Sequence, residues 1–127
     1  MIAVDTSSLI AFFEGHSGSD TDTVESALAE KRAVLPAVVL TEIMSQPGLP
    51  RDFSVALLQI PLLEPTPGYW GRAGLTRAKL LAHGHKARIA DALIAQSCID
   101  HRTPLLTRDQ DFHHFEKLCG LKLVKPY

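Results

Sequence analysis

Residues 2–13 read IAVDTSSLIAFF, and their pattern points to the fold. An unbroken apolar run, Ile2 to Val4, stops at Asp5, and a second apolar stretch then continues to Phe13. A short continuous apolar run is expected of a strand buried on both faces. Thr6 and Ser7 are hydroxyl residues of the kind that cap the start of a helix. The same alternation recurs downstream. Short strands are expected at AVLP (33–36), IPLLE (60–64), PLLT (104–107) and LKLV (121–124). Helices are expected over 22–32, 37–46, 50–59, 68–82, 86–101 and 111–118, with Pro47-Gly48 and Gly84 as breaks and Gly120 closing the last one. The expected fold is α/β, a three-layer sandwich in which a short parallel sheet of about five strands carries helices on both faces.

The chain has 127 residues, 46% of them hydrophobic and 21% charged. One domain over residues 1–127 is expected, and the composition argues against intrinsic disorder. Two cysteines, Cys98 and Cys119, are too few for a disulfide framework and suit a reduced, cytoplasmic setting. The N-terminus has no basic segment and its apolar stretch is broken by Asp5, so neither a signal peptide nor a membrane span is expected. The net charge of −1 conceals an asymmetry. Residues 1–66 carry nine acids and three bases, and residues 67–127 carry five acids and ten bases. No acid falls between Glu64 and Asp91, an interval holding Arg72, Arg77, Lys79, Lys86 and Arg88. Such a stretch is either a solvated helix face or a surface for a polyanion.

Most of the acids stand among polar neighbours, as surface residues do, but several do not. Asp5 ends the first strand, Glu42 lies in AVVLTEIM, Asp91 in IADALIA, and Asp109 follows PLLT with Asp111 two residues later. Helical spacing places Asp91 on the face of Ala87, Ile94, Ala95 and Cys98. An ionised carboxylate in such company is costly unless it is paired or binds a metal. Ligands of an open parallel sheet bind beyond the carboxyl ends of its strands, where Asp5 and Asp109 are expected. Converging carboxylates repel unless cations lie between them, and an all-oxygen set suits Mg²⁺ or Mn²⁺ better than zinc. The chemistry that fits is metal-assisted phosphodiester hydrolysis. Each acid has an alternative reading on its own. Asp5 could cap a helix, Glu42 could pair with an arginine, Asp91 could be a first-turn acid favoured by the helix dipole, and Asp109 and Asp111 could form an Asx turn or cap the next helix.

Taken together, VDTSSLIAFF, LPAVVLTEIM, ARIADALIAQSC and PLLTRDQDF resemble the PIN-domain ribonucleases, in particular the VapC-type toxins of bacterial toxin–antitoxin pairs. The matching segments span nearly the whole chain. The resemblance implies a PIN-like sandwich and an acidic quartet, Asp5, Glu42, Asp91 and Asp109, that binds Mg²⁺ or Mn²⁺ and cleaves RNA. Asp111 matches a position that is often acidic and is ranked second as a ligand. Ser7 and Thr107, with Thr6 behind them, match hydroxyl positions expected to orient carboxylates or contact phosphate. The resemblance also implies an antitoxin that places a helix or extended tail, often with an arginine, in or beside the acidic site. Apolar residues around Leu9 to Phe13 and Val55 to Leu58 are expected in such a groove or in a homodimer contact.

Lys86 and Arg88 are candidates for holding RNA phosphates, with ordinary surface charge as the alternative. His83, His85, His113 and His114 lack the spacing and thiolate partners of a structural zinc site. Trp70 and Tyr69 could stack a base or simply pack. A different class of function, a non-catalytic RNA-binding or scaffold module on the same fold, is disfavoured by the complete acidic set. A phosphotransfer receiver is disfavoured because the first strand ends in one Asp and not an acidic pair.

Overall fold

The computed structural model describes residues 1–125. Strand β1 (Ile2–Val4) leads into helix α1 (Thr6–Phe13). There follow α2 (Ser19–Ala29), β2 (Ala33–Pro36), α3 (Ala37–Met44), α4 (Arg51–Leu57), β3 (Leu62–Leu63), α5 (Tyr69–Ala82), α6 (Ile89–Asp100), β4 (Leu105–Leu106) and α7 (Phe112–Cys119). The four strands form one parallel sheet in the order β3-β2-β1-β4. Ile2 pairs with Ala33 across β1 and β2, and Ala3 pairs with Leu105 across β1 and β4. Ala3, Val4, Val34, Leu35, Leu105 and Leu106 are all buried. Neighbouring strand residues face opposite sides, so burial of consecutive residues means that both faces of the sheet are covered.

The order of strands positions the site. The chain leaves β1 for β2 and β3 on one side, then returns to place β4 on the other side of β1. The connections diverge at the β1–β4 boundary, which opens a crevice at the carboxyl edge of the sheet. Helix α6 packs against α3, α5 and α7, and α1 packs against α2 and α3. Phe112 and Phe115 of α7 are fully buried. At about 1.5–3 kcal/mol for each such side chain, they tie that helix to the core.

Several expected boundaries differ; the strands expected at 60–64 and 104–107 shorten to Leu62–Leu63 and Leu105–Leu106. LKLV is not a full strand. Leu123 makes one isolated parallel bridge to Leu105, so the regular sheet has four strands among the described residues. Helix α6 begins at Ile89 and not near Lys86; Gly84 adopts a left-handed φ of 79°, residues 85–88 are not helical, and Arg88 before the helix is extended. Helix α2 begins earlier than expected, at Ser19, where the Thr21 hydroxyl donates to the Gly18 carbonyl. Among the described residues no helix is long and apolar enough to cross a membrane.

Candidate metal centre

The β1 strand delivers Asp5 to the crevice, where its side chain is 4% exposed. It is the residue before α1, yet its carboxylate makes no capping hydrogen bond to that helix. Instead Oδ2 accepts from the Thr107 hydroxyl at 2.7 Å and from the Ser7 hydroxyl at 2.8 Å. Each hydroxyl also accepts a backbone N–H from the loop after β4. Thr107 takes that of Asp109 at 3.0 Å, and Ser7 takes that of Arg108 at 3.3 Å. One carboxylate thus latches the first turn of α1 to the β4 loop. Burial raises the Asp5 pKa above its ordinary value, the two hydroxyls oppose this, and the Glu42 charge adds to the rise.

Glu42 comes from α3 beside the buried Val39 and Ile43, and its Oε1 accepts from the Thr6 hydroxyl at 2.7 Å. Asp91 is the third residue of α6 and is half-buried. A helix start favours negative charge, but burial outweighs this and pushes the Asp91 pKa to about 6. The charges of Asp109, Asp5 and Glu42 push the same way, and Arg88 opposes them. Among the described residues Asp91 has no hydrogen-bond or ion-pair partner.

The β4 loop brings Asp109 and Asp111 to Asp91. Carboxylate oxygens of the three lie within 4.8 Å of one another. Asp109 Oδ1 also accepts the Asp111 amide at 2.9 Å, the Asx-type turn that the sequence allowed. Two unit charges at that separation repel by about 3 kcal/mol at an effective dielectric constant near 20. Two such groups beside the unpartnered Asp91 carboxylate suit a hard divalent cation with oxygen ligands. Asp5 and Glu42 lie outside the three-carboxylate group but within electrostatic reach of Asp91.

The basic interval is not one continuous face. Arg72 is spent on Asp100 through bonds of 3.1 and 2.7 Å, and Arg77 Nε donates to the Ala87 carbonyl. Lys86 and Arg88 remain exposed on the segment ahead of α6. Cys98 is buried and its thiol pKa is raised by burial, as fits an inert core residue. Tyr69 is buried with its hydroxyl on the Leu93 carbonyl, whereas Trp70 is exposed. No local pattern marks Asp20, which lies in a polar stretch but is buried and paired with Arg108. Its partner stands 88 residues away, beyond the reach of any local pattern.

Comparison with protein-family models matches residues 2–118 to the PIN domain. Comparison with curated proteins gives no match. Among solved structures, the chain is similar to VapBC2 from Rickettsia felis bound to a DNA fragment from their promoter, with a TM-score of 0.72, 18% identity and 98% of each chain covered. It is similar to FitAcB from Neisseria gonorrhoeae, with a TM-score of 0.67 and 17% identity over 99% of this chain and 98% of the other. It is also similar to VapBC-5 from Mycobacterium tuberculosis, a member of the VapBC family of toxin-antitoxin systems. There the TM-score is 0.66 and the identity 20%, over 96% of this chain and 95% of the other.

Proposed function

The chain belongs to the PIN domain family, and from that premise we propose that it is a divalent-metal-dependent endoribonuclease acting as the toxin of a toxin–antitoxin pair. The observation that carries this reading is the half-buried, unpartnered Asp91 with Asp109 and Asp111 oxygens within 4.8 Å. On this reading Asp91, Asp109 and Asp111 hold Mg²⁺ or Mn²⁺, with Asp5 and Glu42 completing the acidic wall. A bound ion would supply positive charge to the scissile phosphate and lower the pKa of water. The remaining work falls to side chains. Ser7 and Thr107 fix the Asp5 carboxylate, and Thr6 fixes Glu42. Lys86 and Arg88, at the approach to Asp91, hold RNA phosphates.

The partner would be an antitoxin, as for the structural neighbour that belongs to a toxin-antitoxin system. A cleft of about 250 Å³ lined by Ile10, Phe13, Ile43, Leu49 and Phe53 offers an apolar seat for it. The proposed setting is the cytoplasm, where RNA and such a partner would both be met.

The test is cleavage of a mixed RNA pool by the purified chain with Mn²⁺, with EDTA, and as Asp91→Asn. Expected is cutting that needs the metal and falls by about 10²-fold or more in the variant. Cutting that persists in EDTA, or in Asp91→Asn, would overturn the reading. Folded protein that neither cuts RNA nor binds Mn²⁺ through Asp91 would favour the non-catalytic module.

A further inference from the structure

We propose that the ion pair between the buried Asp20 and the partly exposed Arg108 is a positioning device for the acidic cluster, acting on the loop that carries Asp109 and Asp111. The proposal rests on reading that cluster as a divalent-cation site. Asp20 is the second residue of α2 and is 3% exposed. Arg108 grips it with both arms of its guanidinium, Nε to Oδ2 at 2.7 Å and Nη2 to Oδ1 at 2.7 Å. The Ser8 hydroxyl adds a third bond to Oδ2 at 2.9 Å.

Arg108 stands between Thr107, which donates to Asp5, and Asp109, which belongs to the three-carboxylate group. Its side chain is anchored to α2, and its backbone N–H is anchored to α1 through Ser7. A two-armed guanidinium–carboxylate contact fixes orientation as well as distance, which a single point contact does not. The loop after β4 is therefore held from two sides, and the direction of Asp109 follows.

The local chain is built around this pair. Gly18 has φ of 153°, and a Cβ there would lie 2.7 Å from Asp20 Oδ1 and 3.2 Å from Arg108 Nη2. A side chain at that position would force the carboxylate or the guanidinium to shift, and it would strain the backbone at that φ. The pair thus depends on a glycine, a serine, an aspartate and an arginine drawn from three separate segments.

A second two-armed pair, Arg72 with Asp100, serves as the comparison for a purely structural role. It joins α5 to the far end of α6, about 13 Å along the helix from Asp91.

The experiment uses the full chain as wild type, Asp20→Asn, Gly18→Ala and Arg72→Ala. Gly18→Ala moves the pair without removing a charge and stands in if Asp20→Asn does not fold. Hydrogen exchange of the Arg108, Asp109 and Asp111 amides is read in metal-free protein, and Mn²⁺ affinity is read by calorimetry. Expected in Asp20→Asn and Gly18→Ala is exchange at those three amides about tenfold faster relative to α6 amides. Mn²⁺ binding should weaken about 10–100-fold in the same variants. Arg72→Ala should lower the melting temperature and leave both readouts unchanged. Unchanged exchange in a folded Asp20→Asn or Gly18→Ala variant would overturn the proposal, as would equal effects from Arg72→Ala. Wild type without Asp91-dependent Mn²⁺ heat would remove the metal reading, and the exchange data would still decide the positioning claim.

Discussion

Asp91 is where several opposing effects meet on one side chain. The helix start beneath it and Arg88 beside it favour its charge, while burial and the charges of Asp109, Asp5 and Glu42 disfavour it. The second group wins, and the pKa rises from 3.8 to about 6. The sign for stability follows from linkage. Between those two values the folded chain holds a proton that the unfolded chain has released, so folding weakens as pH rises through that window. Above about pH 6 the folded state carries the whole cost of the ion, and below about pH 4 it carries none. In metal-free buffer, Asp91→Asn should therefore match wild type below about pH 4. It should become more stable by about 1 kcal/mol above about pH 6, a figure reduced because the group is only half-buried. Melting temperatures against pH for the two proteins check this, and a difference that does not change with pH would sink it. Added Mn²⁺ at pH 7 should raise the wild-type melting temperature and leave the variant where it was.

Hydroxyl groups join separate elements at this site. The first turn of α1 and the β4 loop share the Asp5 carboxylate by way of Ser7 and Thr107. Thr107→Val keeps the shape but removes a donor to Asp5 and an acceptor for the Asp109 amide. It should cost about 1–3 kcal/mol, while Thr107→Ser should keep most of the stability. Denaturant titration of both variants tests the latch, and a loss in Thr107→Ser as large as that in Thr107→Val would count against a special role for the hydroxyl. What the sequence disclosed of these elements follows from locality. The strand–Asp–helix pattern of residues 2–13 was readable because each step depends on neighbours in the chain. The non-helical entry to α6 was not, since HGHKA is compatible with a helix. Its path depends on the left-handed Gly84, on Arg77 holding the Ala87 carbonyl, and on His85 stacked on His114 of α7 with ring centres 3.9 Å apart. LKLV fell short of a strand because only Leu123 comes into register with Leu105. Asp111, ranked second from sequence, stands with Asp91 and Asp109 because the tight turn on Asp109 folds it back.

Across the whole molecule, strand order and charge order coincide. The acid-rich first 66 residues supply Asp5 and Glu42, and the base-rich remainder supplies Asp91, Asp109 and Asp111. The sheet joins the two parts at β1 and β4, the point where its connections diverge. A concentrated negative site repels a polyanion, so the proposed RNA substrate needs cations near the crevice that are not already engaged. Arg72, Arg77 and Arg108 are each held by contacts within the chain. Lys86 and Arg88 are exposed on the segment leading to Asp91, and neither forms a salt bridge among the described residues. If both contact phosphates, each contributes about 0.7 to the slope of log affinity against log salt on a single strand. Lys86→Ala/Arg88→Ala, measured in EDTA so that no cleavage intervenes, should lower that slope by about 1.4 and weaken binding most at low salt. An unchanged slope would mean that the two cations are only surface charge, and the proposed RNA substrate would then need a different approach to the acids.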